Sequence, residues 1–216
     1  GGDLDGYNVV EGNTTRRNAR RGIKVQERAA TITGNSLCGD SSGIGVTVAP
    51  SPTSTPTTIT GNTIRSTAKV GLQLDNCAFV TVTGNTISDT TDHAVSAAST
   101  CNNVVFAGNT VLRSARHGLN LVGITDWNIS GNLIVDCGTG LSERFGINLN
   151  GTYRVAITGN TVQNSGSGTS MTRGICLAGA NDRINITGNL CYLGLTAPIT
   201  DYTPGTNVTQ TANRTT

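Results

Sequence analysis

The stretch ITGNTI, residues 59–64, decides the fold, because the chain keeps returning to it. Related text stands at 10–14 (VEGNT), 32–37 (ITGNSL), 82–87 (VTGNTI), 106–111 (FAGNTV), 129–134 (ISGNLI), 157–162 (ITGNTV) and 186–191 (ITGNLC). The shared glycines, Gly12, Gly34, Gly61, Gly84, Gly108, Gly131, Gly159 and Gly188, stand 22 to 29 residues apart. Such a spacing marks a solenoid, in which each unit covers the core of the next. A second phrase precedes the first in most units: GIKV at 22, GIGV at 43, GLQL at 71, GLNL at 118, GINL at 146 and GICL at 174. Only AVSA at 94 departs from it.

Within both phrases apolar residues alternate with small or polar ones, the period of a half-buried strand. No window carries a helical stripe. Each unit reads as a GΦxΦ strand, a polar corner, a ΦxΦ strand, the Gly-Asn turn, a third ΦxΦ strand, and a looser corner. The expected fold is all-β: a right-handed parallel β-helix, a single-stranded solenoid of about eight coils rising about 4.8 Å each. The asparagines after the glycines, from Asn13 to Asn189, are expected to stack as a buried ladder, each amide bonding its neighbours and the turn backbone. That ladder is structural and carries no chemistry.

The paired phrases resemble the coils of the pectate-lyase-like right-handed parallel β-helix superfamily, which includes polysaccharide lyases and hydrolases, uronate epimerases and phage tailspikes. The resemblance runs from about Tyr7 to Asp201. It is specific for the fold and weak for function, since the repeated text is scaffold. The WIDH strand of plant-type pectate lyases and the DPHD of mannuronan epimerases are absent; TTDH at 90–93 is a poor echo. No calcium-binding aspartate cluster is evident, so neither a metal site nor a cofactor is expected.

The unbroken repeat argues for one β-helix domain over 1–201, followed by a Thr- and Asn-rich tail or cap over 202–216. A net charge of only +2 gives no ground for nucleic-acid binding. No stretch is long and apolar enough to insert in a membrane, and no signal peptide is visible. The chain opens on Gly-Gly with a coil already under way, which suggests a processed form or a part of a larger chain or homotrimer. Among six cysteines, Cys77 and Cys101 hold matched places and are expected to face each other, as free thiols or bonded. Cys176 is expected to point outward, and Trp127 to be half-buried rather than stacked on a sugar. A proline-rich loop, 49–57, is expected to protrude, and the longer connections 133–145 and 161–173 to wall a cleft.

Registering the units on GΦxΦ gives an outward row that includes Gln73, Asn120 and Asn148, with Asp75 and Asn150 one step further on. Just before this strand runs a mostly basic column: Arg20 and Arg21, Lys69, Asp92 and His93, Arg116 and His117, Glu143 and Arg144, then Arg173. Both histidines of the chain fall in it, on consecutive coils. The two rows read as a groove for an acidic polysaccharide, with arginines for carboxylates and Gln73, Asp75, Asn120, Arg144, Asn148, Asn150 and Arg173 as the substrate-binding set. A lyase or epimerase there needs a base for the C5 proton, from His93, His117 or Arg116. A hydrolase needs two carboxyls about 5–9.5 Å apart, drawn from Asp75, Asp92 and Glu143. The competing reading is a solvated corner in which Asp92 simply pairs with Arg116. The expectation is therefore a carbohydrate-active β-helix, tailspike-like or secreted, acting outside the cell on a polysaccharide, with catalysis left open. Its rivals are a non-catalytic structural or adhesion rod and a soluble uronate lyase or epimerase.

Overall fold

The computed structural model describes residues 8–26, 29–40, 42–47, 56–98, 101–140, 144–166, 171–192, 197–202 and 206–215. These residues form strands and turns without a helix, wound as a parallel β-solenoid. Three sheets run the length of the rod. Sheet I collects the strands before the Gly-Asn turn, nine in all, from Asn8–Glu11 to Thr206–Thr211. Sheet II collects the nine short strands after that turn, from Thr14–Arg16 to Arg214–Thr215. Sheet III collects eight strands, from Arg21–Gln26 to Ala197–Asp201, six of them carrying the GΦxΦ phrase. Every strand pairs in parallel with its counterpart one coil on, as Val82 does with Ile59 and Phe106.

Alternation fills the interior. In the strand Ala78–Thr83, Ala78, Val80 and Val82 are buried while Phe79 is exposed. Ile64, Ile87, Val111 and Ile134 stack from sheet II, and Leu72, Leu74, Leu119 and Leu121 from sheet III, all at 0% exposure. Each such side chain stabilises the fold by roughly 1.5–3 kcal/mol on burial. Trp127 belongs to this core at 2% exposure, its Nε1–H donating to Cys101 O at 3.1 Å, so it offers no face to a sugar. The opening glycine of GΦxΦ is there for space: a Cβ on Gly118 would stand 2.6 Å from Gly146 O and 2.8 Å from Ile134 Cγ2.

The asparagine ladder is continuous. Asn109 Oδ1 accepts from the N–H and side-chain amide of Asn85, at 2.9 and 3.0 Å. Asn109 Nδ2 donates in turn to Val82 O, Ala107 O and Asn132 Oδ1. Asn13 departs from expectation. It is exposed, since among the described residues no earlier coil covers it, although it still donates to Asn35 Oδ1.

Beyond Asp201 the repeat does not dissolve. Thr206–Thr211 pairs with Asp182–Thr187 in sheet I, and Arg214–Thr215 continues sheet II. Asn213 adds a further rung, accepting from Asn189 N at 2.9 Å. The text hides this coil because Ala212 stands where the other coils have glycine, and it adopts the same left-handed backbone, φ 52°. Cys176 also differs: it holds an outward register position, between Asn148 and Thr200, yet it is fully buried. Cys77 and Cys101 do face each other, as free thiols. The proline-rich loop lies, but for its last two residues, outside the described residues, as do parts of the longer connections.

Candidate functional site

The outer face of sheet III is built by register. Gln73, Ser96, Asn120, Asn148, Cys176 and Thr200 occupy one row on successive strands. Asp75, Ala98, Val122, Asn150 and Ala178 form the next row on the same face. At the first coils this face is a network: Arg21 donates to Gln73 Oε1 at 2.9 Å, and Gln73 donates to Asp75 Oδ2 at 2.5 Å. Burial raises the Asp75 carboxyl above the ordinary aspartate value, against the opposing pull of Arg21 and the Gln73 bond.

Further along, Asn148 Nδ2 donates to Asn120 Oδ1 at 2.9 Å, while Asn148 Oδ1 is buried without a partner. Two more buried atoms lack partners nearby in register: Arg173 Nε and Thr200 Oγ1. The Arg173 guanidinium lies over the rings of Phe145, at 5.4 Å, and Tyr202, at 4.8 Å. Phe145 and Arg173 pair across the edge where the strands begin, whereas Tyr202 follows the last residue of its strand. The guanidinium and the two rings thus cover this end of the sheet, the end at which Cys176 is buried.

The corner column is an aromatic stack. His93 and His117 lie ring on ring with centroids 5.0 Å apart, and His117 stacks on Phe145 at 4.7 Å. Each imidazole Nδ1 accepts a main-chain N–H from the next coil: His117 N to His93, and Phe145 N to His117, both at 3.2 Å. These bonds assign the remaining proton to Nε2 and leave neither ring a free lone pair in that tautomer. Burial holds both neutral, lowering His93 to about 4 and His117 to about 3. Asp92 Oδ1 lies 3.6 Å from both His93 Nε2 and Arg116 Nη1. That half-exposed pair with Arg116 is worth about 0–1 kcal/mol.

Of the residues singled out from sequence, the structure gathers His93, Arg116, His117 and Asp92 at one corner. It places Asn120, Asn148 and Arg173 toward one end of the face, and Gln73 and Asp75 toward the other. Arg144 serves through its backbone carbonyl, accepting from Thr172 N at 2.8 Å. Asn150 is exposed, and Glu143 lies outside the described residues. Phe145 and Tyr202 were not singled out. For Phe145 the signal was its place one coil before Arg173; Tyr202, five residues past the position one coil on, carried none.

A family model described as "Periplasmic copper-binding protein (NosD)" matches residues 4–104 and 48–192. The chain belongs to the NosD family. Comparison with curated proteins finds no match. Among solved structures, the NosD-family chain is similar to the Azotobacter vinelandii mannuronan C-5 epimerase AlgE6 A-module, at TM-score 0.71 and 16% identity over 96% of this chain and 58% of that one. It is similar also to the enzymatically active domain of bacteriophage CBA120 tailspike protein 2, at TM-score 0.73 and 16% identity over 92% of this chain and 33% of that one. The A. vinelandii AlgE4 A-module follows at TM-score 0.68 and 16% identity, over 94% of this chain and 58% of that one. At such identities the likeness is one of fold, and this NosD-family chain spans little more than half of each epimerase module.

The family description raises copper, and the described donors do not fit it. No group of three or more His, Cys, Asp or Glu side chains is placed to hold a metal among the described residues. Both histidine Nδ1 atoms are taken by main-chain donors. The Cys77 and Cys101 sulfurs, 3.2 Å apart and buried, are closer than two thiolates sharing an ion at about 2.3 Å would be.

Proposed function

We propose that the outer face of sheet III binds an acidic polysaccharide, laid across successive coils, in a compartment outside the cytoplasmic membrane. The observation that carries this reading is the set of unpartnered polar atoms at one end of the face: Asn148 Oδ1, Thr200 Oγ1 and Arg173 Nε. Buried polar groups in proteins are ordinarily satisfied, so orphans gathered at one end of the face mark a place where the covering guanidinium and Tyr202 ring swing aside to admit a ligand. Arg173 is a cation held between two rings, with no carboxylate paired to it among the described residues. A uronate supplies the missing chemistry: a carboxylate for the guanidinium, hydroxyls for the asparagine row, and a ring face for exposed Tyr202. The names of the structural relatives, epimerases of a uronate polymer and a tailspike, and the periplasmic name of the family support the same reading.

The histidines belong to this proposal as neutral Nε2–H donors and as the stack that fixes the corner, rather than as the base. One observation favours a catalytic version. The raised Asp75 carboxyl has the character of a general acid, and a second carboxyl would have to come from Asp92 or Glu143. A homotrimer, expected from the tailspike resemblance, is tested by the mass in solution.

The experiment is a panel of acidic and neutral polysaccharides, scored for binding and for unsaturated uronate or new reducing ends. Binding confined to acidic members, and weakened at least tenfold in Arg173→Ala, supports the groove. Cleavage lost in Asp75→Asn adds the hydrolase. Equal binding by wild type and Arg173→Ala, or binding by no acidic member, overturns the proposal.

A further inference from the structure

A second site stands on a different flank. On sheet II, Arg16, Cys38 and Arg65 occupy one outward row on three successive strands. The two arginines are therefore two strand spacings apart, about 10 Å, with a short side chain between them. Arg17 follows at the corner with a left-handed backbone, φ 56°, beside Gly39. Between them lies a cleft of about 380 Å³ lined by Arg16, Arg17, Cys38, Gly39 and Arg65.

The charge in this cleft is uncompensated among the described residues. None of the three arginines enters an ion pair there, and no carboxylate lines the cleft. Asp40, the nearest acid in sequence to Cys38, is fully buried and accepts from Thr15 Oγ1 and Asn18 N. Asp89, one coil beyond Arg65, feels that arginine, but its two oxygens are held by Arg113 Nε and Nη2 at 2.7 and 3.0 Å. The corner is thus able to pair exposed charges where its sequence supplies both signs, and over its first three coils the side chains that line the cleft supply one sign only.

We propose that Arg16, Arg17 and Arg65 form a binding site for a phosphate or sulfate ester. Guanidiniums about 10 Å apart around a concave floor repel one another by only about 0.4 kcal/mol per pair in water, and a bound oxyanion reverses that sign. Guanidiniums offer paired N–H donors matched to the oxygens of such a group, which a single exposed ammonium does not. The site lies on sheet II, so its fate is independent of the groove on sheet III.

Cys38 supplies the readout, since it is the one cysteine of six that is not fully buried. The folded, full chain is treated with a maleimide in inorganic phosphate, pyrophosphate, inorganic sulfate or chloride at matched ionic strength, and labelling of Cys38 is followed by mass spectrometry. The expected result is several-fold slower labelling in pyrophosphate, and in phosphate or sulfate, than in chloride. Protection is lost in the double variant Arg16→Gln, Arg65→Gln, whose positions are exposed, and retained in Arg154→Gln, an exposed arginine on sheet I. Stronger protection by phosphate or by sulfate identifies which ester the site takes. Labelling equal in all four anions, or protection that survives in the double variant, overturns the proposal.

Discussion

The sulfurs of Cys77 and Cys101 lie 3.2 Å apart on adjacent coils, both at 0% exposure and neither bonded to the other. Their shared hydrogen bond, reinforced by burial, raises the Cys77 thiol well above the ordinary range, so Cys77 keeps its proton. Parallel strands about 4.8 Å apart place the two Cα atoms within the span of a disulfide.

The first prediction concerns that pair. Refolded with glutathione disulfide, each thiol gives up its proton, the pair gives two electrons to the reagent, and a Cys77–Cys101 bond forms while two glutathiones leave. Alkylation after denaturation should then count four thiols instead of six. The bond should raise stability by about 3 kcal/mol for a loop of this length. Six thiols after oxidative refolding would contradict the juxtaposition. Native protein given the same oxidant should react far more slowly, because the pair is sealed in the core.

The ladder makes a second, graded prediction. Asn109→Ala removes the partner of Asn85 N, of the Asn85 amide and of Val82 O, all buried. At about 1–3 kcal/mol for each orphaned group, the loss should be near 4 kcal/mol. Asn213→Ala, on a partly buried end rung, should cost about 1 kcal/mol. Urea midpoints at unchanged slope measure both, and equal losses would mean that the rungs do not act through their amides.

Stability should also fall on acidification. His93 and His117 titrate at about 4 and about 3 in the folded chain, against 6.5 ordinarily. Between those values the unfolded chain binds more protons, so stability rises with pH across that window. It is fully present above about 6.5 and lost as pH falls toward 4 and then 3, by up to about 8 kcal/mol for the two together. Urea midpoints at pH 7.5 and 5 should show the slope, and His93→Gln with His117→Gln should flatten it.

Glycine at two kinds of position should behave oppositely. Ala212 holds a left-handed backbone that costs an L-residue about 1–2 kcal/mol, so Ala212→Gly should stabilise by about 1 kcal/mol. Gly118→Ala should destabilise by 3 kcal/mol or so, since its new methyl meets Gly146 O and Ile134 Cγ2. Thermal unfolding checks both signs.

These contrasts explain what could be read in the text and what could not. GLQL at 71 and its relatives fall on sheet III strands such as Leu72–Asp75, because alternation and the need for a glycine at the wall are local constraints. The coil at 206–215 was missed because Ala212 does by strain what glycine does freely. Both histidines were placed in the right column. Which imidazole nitrogen faces a main-chain N–H depends on the following coil, and no single stretch of text carries that. The cleft at Arg16 and Arg65 escaped notice for a similar reason, its arginines being 49 positions apart in the chain and two strands apart in space.

The asparagine ladder and the three sheets share one direction. Their hydrogen bonds run from coil to coil along the rod, as from Asn85 to Asn109 to Asn132. A pull along the rod therefore loads successive coil junctions in series, and the weakest junction sets the yield force. Each junction is itself held by the main-chain bonds of three sheets and one rung acting in parallel. The molecule should be stiff to bending and should part under tension at a single junction, the mechanics of a stack rather than of a cable.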